Sequence, residues 1–113
     1  MTVWVKEFRE DELGPIEFVP QGAWKRYVAL ETDGRGLIMG MGSLAPGEEI
    51  SHAHIEEELF FTLKGYGEAF WEEDGKKFKA ILKPGVAFYK TSNIFHLMRN
   101  TGTEPLVGIF VKV

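Results

Sequence analysis

Apolar and polar residues alternate in short runs along most of the chain, and turn residues separate one run from the next. Alternation over about four to eight residues is typical of a half-buried β-strand. Such runs, repeated at intervals of about eight to twelve residues, predict an all-β sandwich or barrel. The predicted strands lie at residues 24–30, 37–44, 58–65, 67–73, 77–82, 83–90 (a turn followed by a short strand), 94–100 and 106–113.

Glycine-containing turns separate these runs. Asp33-Gly34 and Asp74-Gly75 have the composition of two-residue hairpin turns. The segment "APGEEIS" (45–51) is interpreted as a further turn. The segment "KEFREDEL" (6–13) is the one helical candidate, with irregular structure as the alternative, and Gly14-Pro15 ends it.

The length of 113 residues predicts one domain. Residues 24–113 are expected to form a single barrel. Residues 1–23 do not fit the hairpin rhythm, so they are expected to form an arm or strand that lies over the barrel or over a partner subunit.

Composition narrows the function classes. A net charge of −4 argues against a nucleic-acid partner, which would need a clustered basic face. No apolar run reaches the ~18 residues that a membrane span requires, and the charged N-terminus does not resemble a secretory signal. The chain has no cysteine, which excludes disulfides and thiolate sites. We therefore expect a cytoplasmic protein that contacts neither nucleic acid nor membrane.

Two of the three histidines stand one residue apart in "SHAHIEEELFF" (51–61). Residues i and i+2 of a strand share a face, so His52 and His54 can both reach one metal ion. Glu58 is a reasonable carboxylate ligand for the harder divalent metals, and His96 needs only a neighbouring strand to complete the set. The alternative is a pair of solvent-facing histidines and a surface carboxylate.

Two segments carry a resemblance to the cupin family. The first has Gly47, then "EEIS", His52-Ala53-His54, "IEE", Glu58, "LFFTLK" and Gly65. The second has Gly85, "VAFYK", Thr91, Ser92, Asn93, "IF", His96, "LMR" and Asn100. The first segment has four residues between Gly47 and His52, where the family motif has five. In the second segment, Thr91 and Asn93 replace the family's usual Pro and Gly. Residues 47–100 thus resemble the two cupin motifs.

The resemblance implies a double-stranded β-helix (jelly-roll) barrel and a metal site made by His52, His54, Glu58 and His96. The ligand set suits Mn, Fe, Ni, Co or Zn. Cupins include dioxygenases, decarboxylases, isomerases and lyases, so we expect an enzyme acting on an oxygen-rich small molecule such as a keto acid, enol or diketone. Non-catalytic sugar or small-molecule binding or sensing is the alternative. Glu58, if it leaves the metal, and Tyr89 are the candidate acid–base residues.

The pocket wall is predicted from strand parity. If Gly40 and Gly42 face inward, they leave room above the metal, with Met39 and Met41 outside; the opposite parity would place the methionines in the cavity. Two-residue steps put further residues on the interior face, as barrel core or as substrate contacts: Phe60, Thr62, Met98, Gly108 and Phe110. Asn100 is expected to bind backbone groups at a strand end.

A homodimer is also expected. Small cupins commonly pair through sheet edges or exchanged terminal strands, and "VWV" (3–5) offers such an edge.

Overall fold

The computed structural model describes Val3 and residues 5–13, 26–31, 36–52, 57–91 and 95–113, with the backbone alone at 26, 27, 51 and 52. Within these residues the chain is nearly all β, as predicted, and its strands are antiparallel. The strands are β1 (Arg26–Glu31), β2 (Ile38–Leu44), β3 (Glu49–His52), β4 (Glu58–Lys64), β5 (Gly67–Glu73), β6 (Lys76–Leu82), β7 (Ala87–Lys90), β8 (His96–Asn100) and β9 (Leu106–Lys112).

These strands form two sheets that enclose one core. The larger sheet has the order β1-β2-β9-β4-β7, and the smaller has the order β3-β8-β5-β6. Consecutive strands therefore lie in different sheets at several points, as a jelly-roll barrel requires. The core cluster contains buried residues of both sheets, among them Phe60 and Phe110 of the larger and Ala69 and Met98 of the smaller.

The two-residue period decides which side chains enter the barrel. In β4, Glu58, Phe60 and Thr62 are buried, whereas Leu59 and Phe61 are exposed. Successive side chains of a strand point to opposite faces, so one strand contributes both to the interior and to the outer surface.

A phenylalanine row crosses the inner face of the larger sheet. The register pairs Phe110 with Phe60 and Phe60 with Phe88, and Gly40 continues the row on the other side of Phe110. A Cβ added at Gly40 would overlap the Phe110 ring and would lie 2.7 Å from the carbonyl oxygen of Val28. Gly40 thus has the first of the two parities considered and faces inward, but the ring of Phe110 fills the room that its missing side chain was expected to leave.

The outer face of the larger sheet is covered in part by the N-terminal residues. Leu13 is buried against Met41 and Val107, with Phe8 packed at the edge of the same cluster. Residues 8–13 therefore lie over their own barrel. The expected domain boundary at residue 23 lies outside the described residues.

Local structure departs from the sequence expectations at two places. The segment 45–51 contains a turn at Pro46-Gly47 followed by strand β3, where a turn alone was expected. The helical candidate is a short 3-10 helix, Glu10–Leu13. The hairpin prediction at Asp74-Gly75 is confirmed, because both residues have positive φ, 52° and 77°, as a type I′ turn requires. No helix of the described residues is long and apolar enough to cross a membrane.

Replacing Gly108 by alanine should destabilise the barrel by about 1–3 kcal/mol through overpacking. The new Cβ would overlap the buried Phe60 ring and lie 2.8 Å from the Phe61 carbonyl oxygen. Gly102→Ala is the matched control, since its nearest contact would be an ordinary 3.4 Å. Denaturant unfolding measures both variants, and equal stability of the two would contradict the packing of this row.

Thr62→Val should leave stability unchanged or raise it by up to about 1 kcal/mol. Thr62 is fully buried, and its hydroxyl has no hydrogen-bond partner among the described residues, so valine removes an uncompensated polar group at nearly constant shape. Thermal unfolding of the variant measures the effect. A clear loss of stability would mean that the Thr62 hydroxyl makes a hydrogen bond in the folded protein. A loss of ligand affinity at unchanged stability would support the predicted role of Thr62 in the pocket.

Candidate functional site

His96 and Glu58 meet in the interior from facing sheets. His96 begins β8 and Glu58 begins β4. Both side chains are shut off from solvent, with 0% and 1% of the residue exposed, and Nε2 of His96 lies 3.5 Å from Oε1 of Glu58. The structure thus brings together two of the four predicted metal ligands, which stand far apart in the sequence.

The separation of these two donors fits shared binding of one cation. Two donors 3.5 Å apart can each lie about 2.1 Å from one ion, with an angle of roughly 110° between them. An imidazole nitrogen and a carboxylate oxygen also form a ligand pair that suits divalent transition metals. The residues present at this point therefore fit a metal centre.

The other two predicted ligands lie wholly or partly outside the described residues. The backbone of His52 pairs with that of His96 across β3 and β8, but its side chain is not described, and neither is any part of His54. Among the residues that are described, no group of three or more potential ligand side chains could hold a metal ion. The complete set of four stays a prediction.

Two lysines flank Glu58 on the inner face of the larger sheet, and together the three residues form what we term the charged row. The register places Lys112 of β9 on one side of Glu58 and Lys90 of β7 on the other. Nζ of Lys112 lies 3.6 Å from Oε2 of Glu58. The carboxylate therefore directs Oε1 toward the imidazole and Oε2 toward an ammonium group.

Lys90 is the more deeply placed of the two lysines. Only 3% of the residue is exposed, although lysine is rarely buried in proteins. It follows the strict alternation of β7, in which Phe88 and Lys90 are buried and Ala87 and Tyr89 are exposed. Its Nζ donates a hydrogen bond to the carbonyl oxygen of Thr91 at 3.1 Å. This alternation brings a positive charge into the same end of the barrel as Glu58.

An aromatic wall extends from His96 through Phe88 and Trp71 to Phe78. The ring of Phe88 lies 5.9 Å from that of His96, and Trp71 meets Phe88 edge-on with the ring centroids 5.6 Å apart. Trp71 also stacks on Phe78 at 5.7 Å with an interplanar angle of 15°. These offset and edge-to-face arrangements are the favourable ones for aromatic pairs, so the wall is well packed.

A cavity of about 400 Å³ opens between this wall and β7. It is lined by Trp71, Glu73, Ala80, Ala87, Phe88, Tyr89, Lys90 and Thr91. A volume of this size lies in the range of small-molecule sites, and an apolar lining with a few polar groups is their usual composition. Because Phe88 contacts His96 and Lys90 lies opposite Glu58 in the register, the cavity adjoins the candidate metal centre.

The predicted pocket residues lie deeper in the barrel. Phe60, Thr62 and Met98 are fully buried, and Phe110 and Gly40 are nearly so. Gly42 is also buried and pairs with Gly108. None of them lines the cavity just described. The structure places them in the packed interior, and their predicted contact with a substrate stays a prediction.

Tyr89 lines the cavity but belongs to the exposed face of β7. It is 53% exposed on the outer face of β7, and its hydroxyl donates a hydrogen bond to Oε2 of Glu57 at 3.1 Å. This hydrogen bond raises the pKa of Tyr89 above its usual value, and burial and the Glu57 charge raise it further. The hydroxyl is bound to Glu57 on the outer face of β7, and the acid–base role suggested for Tyr89 stays a prediction.

Asn100 has the structural role predicted for it. Its Nδ2 donates hydrogen bonds of 2.8 Å to the carbonyl oxygens of Leu44 and Glu104, and its Oδ1 accepts one of 2.9 Å from the backbone N–H of Gly102. The side chain thus fixes the turn after β8, one full strand away from His96.

Sequence reasoning missed Lys90, Lys112 and Phe88 as residues of the site. The alternation in "VAFYK" does place Phe88 and Lys90 on one face. The missing information was the register that sets Lys90 and Lys112 beside Glu58, because it depends on strands far apart in the sequence.

Comparison with known proteins supports the fold. No curated protein matches the chain. A protein with a double-stranded beta-helix domain from Klebsiella pneumoniae is 23% identical, with a TM-score of 0.72 over 97% of this chain and 90% of that one. A Cupin 2 conserved barrel domain protein from Salinispora arenicola is 17% identical, with a TM-score of 0.69 over 99% and 89%.

Larger proteins contain the same fold. Oxalate oxidase, solved with its substrate analogue glycolate, is 18% identical and has a TM-score of 0.68 over 76% of this chain and 49% of that one. The chain spans about half the length of such larger structures. At these identities the likeness shows the double-stranded β-helix fold. The family model of the cupin domain matches residues 40–112, well over half of the chain, and the chain belongs to the cupin domain family.

Proposed function

We propose that this cupin binds one divalent metal ion through His52, His54, Glu58 and His96 and acts on an oxygen-rich small molecule beside it. The proposed activity belongs to the metal-dependent dioxygenases, decarboxylases, isomerases or lyases. The observation that carries the proposal is the buried contact between Nε2 of His96 and Oε1 of Glu58, 3.5 Å apart at one end of the barrel.

The surroundings of this contact support the proposal. A carboxylate that is 1% exposed carries a large desolvation cost unless positive charge compensates it. Lys112 meets that need at Oε2, which leaves Oε1 directed toward His96. The backbone pairing of His52 with His96 brings a third predicted ligand to the neighbouring strand.

Each group has a role in the proposed chemistry. A metal ion held here would supply Lewis acidity or a binding site for dioxygen. Lys112 holds the Glu58 carboxylate in its orientation through the 3.6 Å ion pair. Phe88 and Trp71 form an apolar wall beside His96, which keeps bulk water from a molecule bound next to the site and strengthens electrostatic interactions there.

The similarity to oxalate oxidase supports an oxygen-rich small molecule as the class of substrate. That protein is described with glycolate as a substrate analogue, and glycolate is a small molecule rich in oxygen. An oxygen-rich acid, enol or diketone has the lone pairs with which to bind a metal ion and a nearby ammonium group together. This chemistry suits the region between His96, Glu58 and Lys90.

Non-catalytic binding or sensing is the second candidate function. The chain has three histidines, all of them assigned as ligands, and Tyr89 lies on the outer face with its hydroxyl on Glu57. The site therefore contains no further imidazole to act as a general acid or base. Turnover assays with keto acids, enols and diketones, with oxygen uptake recorded, distinguish an enzyme from a binder.

Metal analysis tests the proposal directly. We expect the purified protein to bind about one equivalent of a divalent transition metal. His96→Ala and Glu58→Gln should each weaken metal binding by more than about 100-fold, because each removes a ligand rather than a group that orients one. Elemental analysis and metal titration measure this. Tyr89→Phe is the matched control, since it alters the outer face of the same sheet and should leave metal content unchanged.

Folding must be followed together with metal content. Far-UV circular dichroism should show the same β spectrum for all four proteins. Stoichiometric metal in folded His96→Ala would contradict the ligand assignment, and a wild-type protein that takes up none of Mn, Fe, Ni, Co or Zn would favour a metal-free binding barrel.

Exposed apolar residues on the outer face of β4 and in the N-terminal segment support the predicted homodimer. Leu59, Phe61 and Leu63 on the outer face of β4 are 49%, 43% and 42% exposed, and Val3 and Val5 of the N-terminal segment are exposed too. A second copy of the chain is the proposed occupant, because an apolar terminal segment and an apolar sheet face in one chain can cover each other reciprocally in a pair.

Phe61→Glu should convert the proposed dimer to a monomer, since it places a charge in the middle of that face. Light scattering coupled to size-exclusion chromatography measures the mass. Ile81→Glu changes an apolar residue on the smaller sheet that is 54% exposed and should leave the dimer intact. A monomeric wild-type protein, or a Phe61→Glu variant that stays dimeric, would rule out this interface.

A further inference from the structure

We propose that the 400 Å³ cavity is a binding site for a neutral aromatic ring, which packs against Trp71 and Phe88. This inference goes beyond the proposed function, because the cavity selects such a ligand without a metal ion and without a charged group of the protein. It also assigns a role to Trp71, which the predicted metal site does not use.

The cavity lies where the edges of the two sheets face each other. β6 stands at one end of the smaller sheet and β7 at one end of the larger. Trp71, Glu73 and Ala80 line the cavity from the smaller sheet, and residues 87–91 line it from β7 and its end. Among the described strands, β6 and β7 do not pair with each other. Side chains therefore line an opening between the sheets at this point.

The charges of the lining favour a neutral ligand. Glu73 supplies one negative charge and Lys90 one positive charge. Glu73 is exposed, so solvent screens it. Lys90 donates a hydrogen bond to the carbonyl oxygen of Thr91 and has a further interaction within the protein. A charged ligand would lose hydration on entering an apolar cavity and gain little from these two groups, whereas a neutral ligand avoids that cost.

The aromatic side chains of the lining are held in place before any ligand binds. Trp71 stacks on Phe78 at an interplanar angle of 15° and meets Phe88 at 61°. Phe88 in turn lies 5.9 Å from the ring of His96. A ring fixed by neighbours on two sides loses little freedom when a ligand packs against it. The wall therefore presents a preformed aromatic surface to the cavity.

This surface favours an aromatic ring over a saturated one. The face of an aromatic ring is negative and its edge positive, so aromatic pairs attract each other beyond the effect of buried area. A saturated ring has no such charge distribution. The cavity volume of about 400 Å³ lies in the lower part of the range of small-molecule sites, which suits a molecule of one or two rings.

Two neutral probes that differ only in their ring test the inference. Benzamide has an aromatic ring, and cyclohexanecarboxamide has a saturated ring of six carbons. The saturated ring has the larger apolar surface, so a cavity that selects by apolar burial alone favours it. We expect benzamide instead to bind about two- to twelvefold more tightly, the scale of one aromatic pair. NMR titration measures both affinities, on the protein as purified and after treatment with a chelator.

The methyl groups of alanine locate the bound probe. Ala80 and Ala87 line the cavity, whereas Ala69 lies in the core. An aromatic ring in the cavity should shift the methyl resonances of Ala80 and Ala87 and leave that of Ala69 unchanged. Benzoate, titrated into the chelator-treated protein, should bind no more tightly than benzamide, because the lining attracts no net charge.

Three variants assign the preference to Trp71. Trp71→Leu should remove the preference for benzamide over cyclohexanecarboxamide, and Trp71→Phe should keep part of it, because it retains a ring. Tyr66→Leu is the matched control, since it removes an aromatic side chain that is 58% exposed between β4 and β5, and it should keep the full preference.

The outcomes separate this inference from the metal site. Equal affinities, tighter binding of cyclohexanecarboxamide or of benzoate, or shifts confined to residues outside the cavity would each overturn the inference on the wild-type protein, even if Trp71→Leu does not fold. A protein that takes up no metal and yet prefers benzamide at Ala80 and Ala87 would support the inference and contradict the proposed function. A protein that takes up one metal ion and does not bind benzamide would do the reverse.

Discussion

The interior of this barrel is organised around the burial of one carboxylate. Glu58 is 1% exposed, and an ionised group in such a place is tolerated only with charge compensation and hydrogen bonds. Lys112 of β9 supplies a compensating charge, with Nζ 3.6 Å from Oε2 of Glu58, while β7 and β8, which are distant in sequence, place Lys90 and His96 beside the same residue. These three residues lie beside Glu58 only in one register of the strands. The position of the buried carboxylate and the register of both sheets therefore depend on each other.

Below that level the barrel is apolar and closely packed. The phenylalanine row lies directly beneath the charged row on the larger sheet, and Gly40 gives the Phe110 ring the space it occupies. Gly108 does the same for Phe60. A protein interior packed in this way transmits small displacements rather than absorbing them. The phenylalanine row therefore forms a rigid floor for the candidate site, and the open space lies to one side, between Trp71 and β7.

The sequence allowed much of this fold to be predicted, since hairpin turns and two-residue alternation are local signals. The pattern left two parities open for Gly40, and it could not predict that Phe110 fills the space beside this glycine, because that ring comes from another strand. Strand β3 was interpreted as a turn, since its four residues "EISH" hardly alternate. The exposed position of Tyr89 could not be predicted for a related reason. The alternation within β7 places Phe88 and Lys90 on one face, but the sequence alone does not show that this face carries Glu58.

The charged row also bears on how folding and metal binding are related. In small metal-dependent domains the ligands have no other partners, so loss of the ion unfolds the chain. Here Nζ of Lys112 lies 3.6 Å from Oε2 of Glu58. The aromatic wall and the phenylalanine row bury apolar surface whether or not an ion is bound. Burial of this apolar surface therefore stabilises the barrel independently of an ion at Glu58 and His96.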